Sequence, residues 1–204
     1  MKNANSATLG FRAHSGWAAA VALVGSPRSP EVIDRRRISL IEPGSPGGGQ
    51  PYHVARTMNL PKAEEFIKDV IVAIDRRALV AVRDFAQAIS GINQQVTCCG
   101  IVLASGRALP SLEATLRSHA MVHTAEGELY RAAIDNAAKD LNLRCIRVPE
   151  RDLHKLTAKQ LRIPEPKLKL RITEMGRALG SPWSADEKCA TLIAWLALAG
   201  FKTM

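Results

Sequence analysis

The stretch TLGFRAHSGWAAAVALVG, Thr8 to Gly25, reads as a strand, a tight turn at Ser15-Gly16 and a second strand. Arg12 stands at the end of the first strand, with His14 just beyond it. The pattern continues in VIDRRRISLI, Val32 to Ile41. There Val32, Asp34, Arg36, Ile38 and Leu40 fall on one side, and Ile33, Arg35, Arg37, Ser39 and Ile41 on the other. GSPRSP, Gly25 to Pro30, supplies the second turn. Strands over about 7–13, 17–24 and 31–41 therefore predict a three-stranded antiparallel meander.

A meander of that size needs a cover for its apolar face. The glycine- and proline-rich EPGSPGGGQP, Glu42 to Pro51, leads out of it, so residues 42–60 read as one long loop. It lacks the lysine of a phosphate-binding P-loop. A long helix follows over about Pro61 to Ala88, with Pro61 in its first turn and Phe66, Val70, Ile74 and Leu79 as its apolar stripe. QVTCCGIVLASG, Gln95 to Gly106, is a continuous apolar run of the kind found in strands covered on both faces, with Cys98 and Cys99 pointing to opposite sides. HTAEGELYRAAIDNAAKDLN, His123 to Asn142, is a helix and LRCIRVP, Leu143 to Pro149, a strand. A helix bracketed by strands is a βαβ crossover and implies parallel pairing.

The last third holds a short helix near 150–157, a basic linker with Pro164 and Pro166, a helix over 167–179 and a final helix. That last helix opens on a capping box, Ser184 with Glu187. Its run CATLIAWLALAGF is too short to span a bilayer, which takes about 20 residues, and reads as a buried helix. Residues 1–6 are polar and expected to fray. The order is three strands, helix, strand, helix, strand, helix, with an extra helix before the last.

The chain has 204 residues, a formal net charge of +9 and few aromatics, so its core must come from Ala, Val, Leu and Ile. The positive excess favours polyanionic partners; a merely basic surface gives the same number. Cys98, Cys99, Cys145 and Cys189 show no CxxC spacing, which points to a reduced, cytoplasmic chain with three of the four acting as small buried hydrophobes. The run GWAAAVALVGS superficially suggests a signal peptide, but Arg12 and His14 interrupt its approach.

The element order resembles the ribonuclease H-like fold, a five-stranded mixed sheet with antiparallel strands 1–3, parallel strands 4 and 5, and helices on both faces. That implies one domain over 1–204, with a basic insertion and extra helix over 150–182. EGELYRAAIDNAAKDLNLRCIRVPERDLHKLTAK, KLKLRITEMGRALG and ADEKCATLIAWLAL together resemble the RuvC-type Holliday-junction resolvases. In that family, lysines after the last strand face DNA, and the last helix opens with an Asp-Ala-Ala-Asp box. The resemblance implies two divalent cations about 4 Å apart, held by acids from the tip of the first strand, the end of the fourth and two positions on the last helix.

Carried across, most of those acids are missing. GFRAHSG puts Arg12 where the central Asp would stand. IVLASG puts Ala104 or Ser105 at the fourth-strand acid. The box reads Asp186-Glu187-Lys188-Cys189, so the first Asp is kept and the second becomes Cys189, one turn along. The expectation is a degenerate pocket of Arg12, Ser105, Asp186 and Cys189, with Arg12 pairing Asp186 in place of a metal bridge. No cofactor is then needed. The alternative is an active hydrolase with a rearranged site using Asp186, Glu187 and Glu113, with His119 or His123 as an optional further member, which would require magnesium or manganese. A third reading is a protein-interaction domain without a nucleic-acid role.

Two further features carry chemistry. His119 and His123 share a helix face and, with Glu126 and Glu113, could ligate a metal; a polar helix start gives the same pattern, and no third ligand is fixed by spacing. Ser105, Ser111 and Ser118 lie near these histidines, but no nucleophile elbow is present. Arg151, Lys155, Lys159, Arg162, Lys167, Lys169, Arg171 and Arg177, against Asp152, Glu165 and Glu174, carry +5 of the chain's +9. Such a stripe suits a phosphate backbone, though a solvated helical face would look alike, and no aromatics interleave for base stacking. Nucleic acid or a nucleoprotein is the partner class implied, with no membrane.

Overall fold

Gly16 adopts the positive φ, 82°, that lets the chain reverse between the first two strands. From that turn the structure, a computed structural model describing residues 6–104, 108–177 and 179–201, builds one mixed sheet. Its strands are β1 (Ser6–His14), β2 (Trp17–Ser26), β3 (Ser29–Ser39), β4 (Gln95–Leu103) and β5 (Arg144–Pro149). The helices are α1 (Pro51–Ala55), α2 (Leu60–Ser90), α3 (Leu112–Arg117), α4 (His119–Asp140), α5 (Glu150–Leu161), α6 (Glu165–Arg177) and α7 (Ala185–Leu198).

The strand order is β3-β2-β1-β4-β5. β1, β2 and β3 pair antiparallel, with His14 opposite Trp17 and Arg12 opposite Ala19. β4 pairs parallel to β1 on one side and to β5 on the other. This is the five-stranded ribonuclease H-like arrangement, and β1 is its central strand.

Strand alternation splits the core in two. Leu9, Phe11 and Ala13 of β1, with Cys99 and Ile101 of β4, face α2 and α4. Cys98 and Val102 of β4, with Ile146 and Val148 of β5, face α5, α6 and α7. The paired cysteines thus do point to opposite faces, and both are buried, but Cys145 and Cys189 are only half-buried, so two rather than three act as core residues. α7 lies directly on the sheet and is buried from Ala190 to Leu198. Its capping box forms as expected, the Glu187 N–H donating to Ser184 and the Ser184 N–H to the Glu187 carboxylate.

Several local expectations change. A β-bulge at Ile33 makes Val32 pair with Leu23 but Asp34 with Ala22. Val32 therefore packs towards α7 while Ile38 and Leu40 pack towards α2, on the opposite face. The loop over 42–60 contains α1, which starts at Pro51. α2 buries Ala63, Ile67, Val70, Ile74, Ala78, Val82 and Phe85, so its buried stripe runs through Ile67 and Ala78 instead of Phe66 and Leu79. α3 was not expected. α5 extends to Leu161, and α6 begins at Glu165 with Pro166 in its first turn, which leaves little linker between them. Residues 1–5 lie outside the described residues, and Ser6 already belongs to β1. No helix among the described residues is long and apolar enough to cross a membrane.

Candidate functional site

On β1, Thr8, Gly10, Arg12 and His14 point to the α7 side, alternating with the core residues of the other face. Gly10 touches the α7 backbone at Ala190. Two residues along the strand is about one helical turn, so Arg12 meets Asp186, four residues before Ala190. The Arg12 guanidinium donates to Asp186. Its Nη2 also donates to both carboxylate oxygens of Glu150, at 3.2 and 3.1 Å. Glu150 is the first residue of α5, directly past the end of β5. His14 Nε2 lies 2.7 Å from Arg12 Nη1 and 3.0 Å from Asp186 Oδ1. Arg12 and Asp186 are each about three-quarters shielded from solvent, with side-chain exposures of 23% and 24%.

A stack behind His14 holds it in place. Its ring lies 4.3 Å from that of Trp17, nearly parallel, and the Arg37 guanidinium covers Trp17 at 3.9 Å from the ring centroid. Cys189, one turn after Asp186, has its Sγ 4.0 Å from Glu150. Burial, then the Glu150 charge, push the Cys189 thiol pKa up, which disfavours the nucleophilic thiolate. Burial draws the pKa of Arg131, on α4, down, and the Arg12 charge adds to this, against the Glu128 and Glu150 carboxylates that raise it. A guanidinium thus bridges two carboxylates where a two-metal site would need cations between acids.

Arg12, Asp186 and Cys189 come together, and Glu150 and His14 join them. Ser105 lies outside the described residues. Glu113 sits on α3 and pairs with Arg117, 2.6 Å away on its own helix. Glu187 uses its carboxylate to cap α7 and lies 3.9 Å from Arg35. Sequence reasoning missed Glu150. Its signal was its place at the carboxyl end of a parallel strand, where the loops of an α/β sheet collect functional groups.

A second cluster forms away from this pocket. α4 begins at His119, so His119 and His123 do share one helix face. α1 brings His53 to them: the ring centroids lie 5.8 Å (His53–His119), 4.7 Å (His53–His123) and 4.5 Å (His119–His123) apart. Behind them, Glu126 is buried, with its Oε1 3.2 Å from the His53 backbone N and 3.3 Å from His53 Nδ1. Burial raises the Glu126 pKa, against the lowering effect of its hydrogen bonds from His53. Desolvation, then the charges of His119 and His53, lower that of His123, favouring the neutral imidazole.

The basic residues spread over α5 and α6. Arg151, Lys155 and Lys159 lie at successive turns of α5 and are exposed, as are Arg162 at its end and Lys167, Lys169 and Arg177 of α6. Arg171 is half-buried, its guanidinium 5.9 Å from the Trp195 ring centroid and donating to the Arg28 carbonyl. Three further basic residues, Arg35, Arg36 and Arg37 of β3, are mostly engaged: Arg36 pairs with Asp34, Arg37 covers Trp17, and Arg35 donates to the backbone before α7.

The strand order β3-β2-β1-β4-β5, with β4 parallel to β1 and β5, and the helices packed on both faces give a ribonuclease H-like fold. Among solved structures, the chain is similar to RuvC from Thermus thermophilus. A structure of that protein in complex with Holliday junction substrate matches with TM-score 0.53 at 10% identity, covering 96% of this chain and 94% of that one. A second Thermus thermophilus RuvC structure matches with TM-score 0.53 at 9% identity, covering 95% of each. No protein-family model and no curated protein matches the sequence.

Proposed function

We propose that this chain is a resolvase-like nucleic-acid-binding module that does not carry out two-metal phosphodiester cleavage. The observation that carries this reading is the Arg12 guanidinium bridging Asp186 and Glu150. Arginine does not lose its proton in proteins, so the cation between the two carboxylates is permanent. A metal ion entering there would have to displace a fixed cation from both carboxylates. The partner class is supported by the exposed α5–α6 basic face and by the likeness to a RuvC structure that contains a Holliday junction substrate. The reading requires no cofactor.

The test compares four-way junction and duplex DNA at low salt, in binding and in cleavage with magnesium or manganese. The expected result is retarded DNA that stays intact. Cleavage abolished by Asp186→Asn would establish the active-hydrolase alternative. Absence of binding to either DNA, even at low salt, would leave the protein-interaction reading in its place.

A further inference from the structure

We propose that His53, His119 and His123 form a binding site for a single divalent transition-metal ion of the zinc class, with Glu126 as the carboxylate that orients His53. One ligand atom from each of the three histidines lies within 4.8 Å of the others. Bonds of about 2.0–2.1 Å in a tetrahedral sphere require ligand nitrogens about 3.4 Å apart, so closing the site takes little more than an ångström of side-chain adjustment. His119 and His123 are exposed and free to make it, whereas His53 is already held.

Glu126 is what separates this cluster from a chance gathering of imidazoles. It is 2% exposed, and its Oε2 has no hydrogen-bond partner among the described residues. Its Oε1 receives the His53 backbone N–H and lies 3.3 Å from Nδ1. With Nδ1–H donating to Glu126, the His53 tautomer leaves Nε2 as its unprotonated nitrogen, the form a metal ligand needs, and the carboxylate fixes the ring's orientation. Tyr130 of α4 donates to the Gly49 carbonyl at 3.0 Å, which fixes the segment leading into α1. The scaffold is therefore set before any ion arrives.

Three imidazoles without thiolate or further carboxylate select zinc, copper, nickel or cobalt over magnesium or calcium. With two of three ligands at the surface, the fourth position faces solvent and would hold water. Bound metal would tie α1 and the glycine-rich segment to the start of α4. This site is separate from the Arg12 pocket and does not depend on nucleic-acid binding.

The full chain, prepared without a polyhistidine tag and stripped with chelator, is titrated with Co²⁺ as a spectroscopic probe and then with zinc. The expected result is one Co²⁺ per chain with visible ligand-field bands, displaced by zinc. His53→Ala, and His119→Ala with His123→Ala, should each weaken binding at least about 100-fold, and Glu126→Gln about 10- to 100-fold with the circular dichroism spectrum kept. His154→Ala on α5 should leave it unchanged. Absence of stoichiometric binding, full retention in the double histidine variant, or an equal loss in His154→Ala would each overturn the site. Because the two cluster histidines on α4 are exposed, their removal tests ligation without risking the fold.

Discussion

At the scale of single residues, the pocket turns on one sign of charge. Arg12 sits between Asp186 and Glu150, so replacing it by an acid should convert a salt-bridge network into a carboxylate cluster. Arg12→Asp is expected to lose about 1–2 kcal/mol of stability without divalent ions, a range kept low because the group is a quarter exposed. That is roughly 3–6 °C in Tm for a domain of this size. Manganese at about ten times its Kd should return some 1.4 kcal/mol to the variant and nothing to the wild type. A variant melting curve indifferent to manganese would show that these acids do not converge on an ion-sized space. Arg12 and Asp186 were legible because each has a fixed place, one at a strand tip and one inside a capping box. Glu150 was not, since its role depends on β5 lying beside β4, which spacing alone does not reveal. His53 was hidden for a similar reason: a lone histidine in a glycine-rich stretch gains meaning only when α1 packs on α4.

At the scale of elements, α7 is held to the sheet by closeness. A Cβ on Gly10 would fall 1.9 Å from the Ala190 carbonyl oxygen, and one on Gly100 2.5 Å from the Ile193 side chain. Two adjacent strands thus omit side chains where the helix crosses, and that close approach also brings Asp186 within reach of Arg12. Gly10→Ala should cost about 3 kcal/mol or more, because the obstacle is helix backbone and cannot rotate away. Val72→Ala, on the exposed side of α2, should change stability by less than about 0.5 kcal/mol. Chemical denaturation of both variants measures this, and equal midpoints would refute the close packing. The long elements announced themselves, β4 by its continuous apolar run and α7 by its cap and buried length. α1 and α3 did not, because five or six residues make too few turns for a periodic stripe. The β3 bulge escaped for a related reason: alternation read from sequence assumes an unbroken ladder, and one extra residue at Ile33 reverses which face Val32 sees.

At the scale of the whole molecule, charge is segregated rather than spread. The β3 arginines are largely used up in internal contacts, whereas Lys155, Lys159, Arg162, Lys167 and Lys169 make no ion pair among the described residues. Net charge alone did not distinguish these two clusters; side-chain partners did. A phosphate backbone laid along α5 and α6 would release counterions as it meets them, so affinity should fall with salt in proportion to the contacts made. If about five phosphates are neutralised, raising salt from about 50 to 200 mM should weaken binding about 500-fold. Neutralising Arg151, Lys155 and Lys159 together, each to Gln, removes one full stripe of α5. It should flatten the logarithmic salt dependence by about 2.7 and leave the melting curve nearly unchanged, since these side chains are exposed. Fluorescence anisotropy on a labelled four-way junction across a salt series measures that slope. A triple variant with the wild-type slope would move the interface off this face, and a wild type with no salt dependence would remove the phosphate backbone from the reading altogether.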